Sequence, residues 1–222
     1  MLVAEALNTK IRVLNTHDFV GEALKKMDEL RVNKLPVIDP STHKVVGQIN
    51  REKVSDDVDK EDPISVLDLE DPVVIFNNQH LFHAIRLMLH HEMSLLPVVD
   101  KNDICLGIIL KHHMLELLGR MLNLMEYGSI ITIRLGQQNF TLSEIVQLIE
   151  AENGKILGIT VEPPDAELED YEVSIKLNLK DVSRVASALR RHGYNIFTEV
   201  KSESHKIDLE TRADEFLQYL DM

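Results

Sequence analysis

One cysteine, no tryptophan and an aromatic content of only 5% stand out in these 222 residues. A single thiol cannot build a disulfide framework. Cys105, flanked by Ile104 and Leu106 in an apolar run, is read as a buried thiol, and a reducing cytoplasm is the expected location. The shortage of aromatic rings removes the stacking platform on which single-stranded nucleic acids bind. No Lys/Arg-rich run is present either: 24 basic residues stand against 37 acidic ones, giving a net charge of −13 and a pI near 5.2. Such a chain repels phosphate backbones, so direct nucleic-acid binding is not expected. The apolar stretches are strand-sized, well short of the roughly 20 residues of a spanning helix, so no membrane partner is expected. The start, Met1-Leu2-Val3-Ala4-Glu5, lacks the basic beginning and apolar core of a secretory signal. No Ser/His/Asp or Cys/His arrangement and no Gly-rich phosphate loop occurs, so no catalytic residue can be named and no enzyme is expected.

What the chain does contain is a repeat. Ala23, Met27, Leu35-Pro36-Val37 and Asp39 recur 61 residues later as Ala84, Met88, Leu96-Pro97-Val98 and Asp100. Val46-Gly47-Gln48-Ile49 recurs 60 residues later as Leu106-Gly107-Ile108-Ile109, which places a one-residue deletion in the intervening turn. Each copy predicts the series β-α-β-β-α. The first strands are expected at Ile11–Leu14 and Val73–Phe76. The helices that follow have stripes Val20, Leu24, Met27, Leu30 and Leu81, Ile85, Met88, Leu89 at helical spacing. A second helix is expected in each copy after the glycine-containing strand. Between the copies, Ser55 to Pro63 is too polar for a core and reads as an exposed connector. A unit of about 60 residues occurring twice predicts a pseudo-symmetric pair rather than a solenoid.

The segments Arg31 to Asp39 with Lys44 to Asn50, and Glu92 to Asp100 with Ile104 to Leu110, resemble CBS domains, which act in pairs as Bateman modules. The resemblance places repeat 1 at 1–58 and repeat 2 at 59–122. It implies a regulatory module whose cleft holds an adenine nucleotide such as AMP, ADP or ATP, with no cofactor certain. In that family a Gly, two apolar residues and a Thr or Ser are followed by an Asp three residues on, and hydroxyl and carboxylate read phosphate and ribose. Here the reading positions carry Asn50 and Lys53 in the first copy, and Leu110 and His113 in the second. Lysine has only donors and histidine one acceptor at most, so the ribose-reading carboxylate is missing twice. The first copy is the better candidate, because Asn50 can cap backbone amides and Lys53, near an expected helix N-terminus, can hold phosphate as a point charge. Lys53 can equally be read as a solvated lysine on a scaffold helix. Lys34-Leu35-Pro36 and Leu95-Leu96-Pro97 are expected to line the cleft through backbone groups.

The second copy is rich in histidine, at His80, His83, His90, His91, His112 and His113. Imidazole is a common metal ligand, but these spacings supply no closed set with carboxylates or thiolates. Solvated helix-face histidines are the expected reading, with no metal.

From about Glu126 the pattern becomes a single β-α-β-β-α-β series, predicting a ferredoxin-like α+β sandwich over 127–203. Its first strand is expected at Ile130–Leu135. Thr141 and Glu144 form a capping box ahead of a helix with Leu142, Ile145, Val146 and Ile149 on one face, and Gly154 is its expected stop. Leu157, Ile159 and Val161 alternate as one strand. Val173, Ile175, Leu177 and Leu179 do so as another. Asp181 is expected to cap a helix with Val182, Val185, Ala186 and Leu189 inward, ended by Gly193. This region resembles an ACT domain: Gly193-Tyr194-Asn195-Ile196 is similar to that family's Gly-x-Asn-Ile turn. Phe140 stands where the family's effector loop has Gly, which predicts a blocked backbone approach. Gln137, Gln138 and Asn139 are the remaining effector-loop amides, with plain turn residues as the other reading. A tail helix is expected over 205–222, from Leu209, Ala213, Phe216, Leu217 and Leu220.

The whole layout, an α/β (α+β) CBS pair with a C-terminal ACT-like domain, is similar to that of bacterial acetoin-utilisation regulatory proteins. The expected function is ligand sensing without catalysis, transmitted by domain or oligomer rearrangement in a homodimer or larger assembly. The alternative is a structural or assembly protein with decayed ligand sites. A metal sensor or an enzyme is the weaker one.

Overall fold

The computed structural model describes residues 1–55, 57–136, 140–164 and 169–200. Gln137, Gln138, Asn139 and the tail helix expected over 205–222 lie outside the described residues. The chain divides after Leu118 into two units.

In the first unit the repeat seen in the sequence is a repeat of structure. The first copy has β1 (Leu14–Asn15), α1 (Val20–Leu30), β2 (Lys34–Ile38) and β3 (Val45–Asn50), and the second has β4 (Ile75–Phe76), α2 (Leu81–His90), β5 (Leu95–Val99) and β6 (Cys105–Leu110). Each forms a three-stranded sheet, β1-β2-β3 and β4-β5-β6, with a parallel first pair and an antiparallel hairpin. The hairpins even share a register shift, between Val37 and Ile38 and between Val98 and Val99. Their turns are set by Asp39, whose carboxylate accepts from the amides of Ser41 and Thr42, and by Asp100, which accepts from those of Asn102 and Ile104; both are side-chain mimics of a backbone turn.

The structure corrects several expectations here. The first strands are two residues long, because parallel pairing begins only where Leu14 meets Val37 and Ile75 meets Val98. In α2, Ala84 is buried with Leu81 and Met88 while Leu89 is exposed; at 100° per residue, positions 81, 84 and 88 cluster within one turn of the face and 89 has rotated off it. Among the described residues the second helix is present in the second copy alone, as α3 (Lys111–Met121). In the first copy it is a single 3₁₀ turn, Arg51–Lys53, since the polar residues after Val54 offer no apolar stripe to bury. Cys105 is half-buried rather than a core thiol. Burial still pushes its pKa up, and its Sγ lies 3.7 Å from the Gly107 carbonyl.

The two copies share one core. Leu14, Met27, Leu35 and Ile49 of the first pack in one cluster with Ile64, Leu95, Ile108 and Leu110 of the second.

The second unit carries β7 (Ser129–Leu135), α4 (Ser143–Ala151), β8 (Ile156–Glu162), β9 (Tyr171–Leu177), α5 (Ser183–Arg191) and β10 (Asn195–Val200). The sheet order β10-β7-β9-β8, all antiparallel, is the ferredoxin-like arrangement. Val173, Ile175 and Leu177 of β9 and Val182, Val185, Ala186 and Leu189 at α5 are buried as the alternation and the helical stripe predict. The capping predictions fare unevenly. Asp181 accepts from the Ser183 amide at 2.9 Å, two residues ahead of the helix start, but Thr141 makes no capping box. The helix begins at Ser143 after Leu142, so the Thr141 hydroxyl meets Ser143 Oγ at 3.2 Å instead of a backbone amide. At the helix end, Asn153 rather than Gly154 takes the left-handed turn, with φ 60°. Gly193 does end α5, at φ 85°.

Candidate functional site

The polar centre of the first unit lies at the open end of the β2–β3 hairpin. Lys34 opens β2 opposite Asn50, the last residue of β3, and Gln48 lies two residues back on the same face as Asn50. Both amide side chains are buried. The Asn50 carbonyl oxygen caps the 3₁₀ turn by accepting from the Glu52 amide at 3.1 Å, and the turn delivers Lys53.

All four side chains converge on Glu70. Its segment lies along β3: Gln48 and Glu70 exchange two backbone hydrogen bonds, of 2.9 and 3.0 Å. Gly47 permits the approach, since a Cβ there would stand 2.7 Å from the Cβ of Leu69. Glu70 Oε1 accepts from Asn50 Nδ2 at 2.9 Å and pairs with Lys53 Nζ at 3.1 Å. Oε2 accepts from Gln48 Nε2 at 3.1 Å and pairs with Lys34 Nζ at 3.2 Å. These donors, the Asn50 amide first, outweigh the opposing effect of burial and pull the Glu70 carboxyl down to about 2, so it is an anion throughout the physiological range.

Glu70 is the residue that the sequence reading missed. Within Asp68-Leu69-Glu70-Asp71 it resembles any solvated connector carboxylate. The available signal was on β3, where two amide side chains on one buried face require an acceptor. Lys53 is also differently placed than expected. A single 3₁₀ turn sums too few peptide dipoles to favour an anion as an α-helix end does, and Lys53 acts through its paired charge.

Of the six strand residues expected to line the cleft, three border one crevice. Leu35, Pro36 and Leu95, with Ile11 to Leu14, Lys26 and Ile108, border a crevice of only about 10 Å³, no more than one water occupies. Leu35 and Leu95 close it by packing in the shared core. Leu96 and Pro97 are buried in β5 and are not among its lining residues. In the second copy, His113 sits on α3 with Nε2 3.9 Å from Glu116, and Leu110 is buried. A mainly apolar cavity of about 540 Å³ lies beside it, lined by Arg31, Ile85, Ser94, Leu110, Met114 and Leu118 among others.

In the second unit, Phe140 packs against Tyr171 in a tilted pair with ring centroids 4.6 Å apart, and it remains partly exposed instead of filling a core. It borders a polar cavity of about 540 Å³ with Arg134, Glu144, His192 and Tyr194. Tyr194 donates to Glu144 at 2.8 Å, and burial first, with that carboxylate, raises its phenol to about 12. Among the described residues no group of three or more His, Cys, Asp or Glu is arranged to hold a metal, and no helix is long and apolar enough to cross a membrane.

The CBS domain family matches residues 3–60 and 64–120. Among solved structures, a CBS domain pair/ACT domain protein from Thermotoga maritima is similar at 26% identity, covering 54% of this chain and 98% of that one, with a TM-score of 0.47. A protein provisionally assigned to acetoin utilization (AcuB) from Vibrio cholerae is similar at 21% identity, covering 56% and 95%, with a TM-score of 0.47. CBSX2 in complex with AMP is similar at 23% identity, covering 54% and 96%, with a TM-score of 0.44. Comparison with curated protein sequences returns no match.

Proposed function

The chain belongs to the CBS-domain family, whose pairs are regulatory ligand-sensing modules, and on that premise we propose that it is a non-catalytic regulator whose first-repeat cleft binds an adenine nucleotide or a related small ligand. One observation carries the reading: Lys34, Gln48, Asn50 and Lys53, drawn from two strands and a turn, aim their donors at one carboxylate. A place that gathers two ammonium groups and two amides around an anion has the chemistry for a phosphate. The Leu35-Pro36 strand beside it supplies an apolar wall for a base. Because Leu35 and Leu95 close the crevice, admitting a ring separates residues of both repeats, and ligand occupancy is thereby coupled to the packing of the pair.

Calorimetric titration with AMP, ADP, ATP and adenosine tests this. Each nucleotide is expected to bind more tightly than adenosine. Lys53→Ala is expected to weaken nucleotide binding about five-fold, the screened value of one charged contact on a largely exposed lysine. Equal binding of adenosine, or no loss in the variant, overturns phosphate recognition.

The module is expected to pair with a second copy. On α2, Phe82 and Leu89 are exposed, as is Leu115 on α3, and apolar stripes of this kind call for a covering surface. Sedimentation at micromolar concentration is expected to show a species larger than 25.4 kDa; a single monomeric boundary refutes the assembly. The ferredoxin-like unit is proposed as a dimerisation and relay element rather than an amino-acid receptor. The alternative reading, an assembly protein with decayed sites, draws on the second copy, where the reading positions hold the buried Leu110 and a histidine, His113, in place of a hydroxyl and a carboxylate. Absence of any nucleotide binding together with a stable oligomer favours it.

A further inference from the structure

We propose that Glu70 is a tethered occupant of the anion position in the first-repeat site and sets its charge specificity, competing with ligand phosphate for Lys34 and Lys53. The inference rests on the reading of that site as the nucleotide cleft and adds to it a residue from outside the hairpin.

The first argument is acceptor capacity. A carboxylate offers about four lone-pair positions, and Glu70 has four partners, two on each oxygen. Each lysine is already charge-paired by that carboxylate, so a phosphate must compete with it for both ammonium groups while it stays where it is. The second argument is the pseudo-symmetry of the pair. Hairpin register and strand bridging make Lys34 equivalent to Leu95, Gln48 to Ile108 and Asn50 to Leu110. By position Lys53 corresponds to His113. The backbone bridge between Gln48 and Glu70 corresponds to that between Ile108 and Asn8, so Glu70 corresponds to Asn8. In the second copy the Asn8 side-chain oxygen, Oδ1, accepts from the amides of Lys10 and Ile11. Five positions thus differ together: where the carboxylate is absent, both lysines and both hairpin amides are absent too. That pattern is expected of one device and not of five independent surface residues.

The third argument is what can move. The Glu70 backbone is pinned by its two bonds to Gln48 and by Leu69 resting on Gly47, whereas the carboxylate sits at the end of a side chain with rotatable torsions. Lys53, 63% exposed, marks the solvent side. A phosphate arriving there meets Lys53 first and takes both lysines only as the carboxylate rotates out. A carboxylate that stays nearby repels each further phosphate charge, so the penalty grows from AMP to ATP and is absent for adenosine.

The full chain, with Glu70→Gln, Glu70→Ala and Glu70→Gln/Lys53→Ala variants, is titrated by calorimetry with adenosine, AMP and magnesium-free ATP. Glu70→Gln is expected to bind ATP about ten-fold more tightly than the wild type, AMP by a smaller factor and adenosine unchanged, with the gain lost in the double variant. Glu70→Ala is expected to gain in the same order. ATP affinity unchanged or weakened in both single variants, with thermal transitions showing them folded, overturns the role of Glu70 and leaves the nucleotide reading standing. No nucleotide bound by any of the proteins overturns the nucleotide reading and this inference with it.

Discussion

Alanine in place of Gly107 should destabilise the repeat pair by about 2–4 kcal/mol, combining backbone strain with overpacking. Gly107 has φ 147°, a conformation that side-chain-bearing residues rarely adopt, and a Cβ there would stand 2.7 Å from the carbonyl oxygen of Asn8 and 3.2 Å from Leu7 Cδ1. That oxygen belongs to the backbone bridge between Asn8 and Ile108, so it cannot retreat without breaking the bridge. At the equivalent Gly47 the φ is ordinary and the obstacle is the Leu69 side chain at 2.7 Å. Its replacement should cost less, about 1–3 kcal/mol. Gly193 supplies the control, with φ 85° but nothing within 4 Å of a built Cβ, so Gly193→Ala should cost only about 1 kcal/mol of conformational strain. Urea unfolding followed by far-ultraviolet circular dichroism ranks the three. A Gly107 variant no worse than the Gly193 variant would show that the bridge yields.

The same two glycines show why much of the fold was legible in advance. Gly47 and Gly107 stand in matching strands because both copies lay another segment flat against the hairpin, and a sequence offset detects that without knowing which segment it is. Periodicity likewise found the α5 face, where Val182, Val185, Ala186 and Leu189 are all fully buried; a stripe is a local property of spacing. Short-range signals failed where a competing local geometry was nearly as good. Thr141 has the chemistry of an N-cap, but the helix starts at Ser143, two residues on, and a capping box depends on that register. The expected helix after Asn50 depended on analogy between copies, and the polar run past Val54 gives it nothing to bury.

The site was half legible. Asn50, Lys53 and Lys34 were identifiable because they stand in, or in the turn just after, a hairpin whose register the repeat fixes. Glu70 was not, because its contacts with Asn50 and Gln48 span 20 and 22 residues and its own neighbours are acidic and polar. A connector carboxylate acquires meaning only when folding places it against two buried amides. Leu35 and Leu95 illustrate the same limit from the apolar side: the motif that names them as cleft lining cannot say whether the cleft is open, and their packing in the shared core closes it.

Removing the Glu70 carboxylate should cost stability while it gains affinity, and pH should separate the charge contribution from the rest. Gln48 and Asn50 are buried with Glu70 as acceptor, so Glu70→Ala leaves two amide groups without it and two lysines without their counter-charge, a loss of about 2–4 kcal/mol at neutral pH. The carboxyl lies at about 2 in the folded protein against an ordinary 4.5, because donors hold its charged form. A depressed folded pKa contributes stability that is fully present above the unfolded value and is lost as pH falls through the folded one. The gap between wild type and Glu70→Ala should therefore be constant from pH 7 to about 5 and narrow between 4.5 and 2. With part of the side chain in contact with water, the charge-dependent share is about 1–2 kcal/mol. The remainder should persist in acid, since a protonated carboxyl still accepts from an amide. Asp39, also held near 2 by Ser41 and Thr42, is present in both proteins and cancels. Thermal unfolding across that pH range measures the difference directly. A gap that stays flat to pH 2, or widens on acidification, would mean that the lysines and amides do not depend on the charge of Glu70, and the network would then be packing rather than an ionic switch.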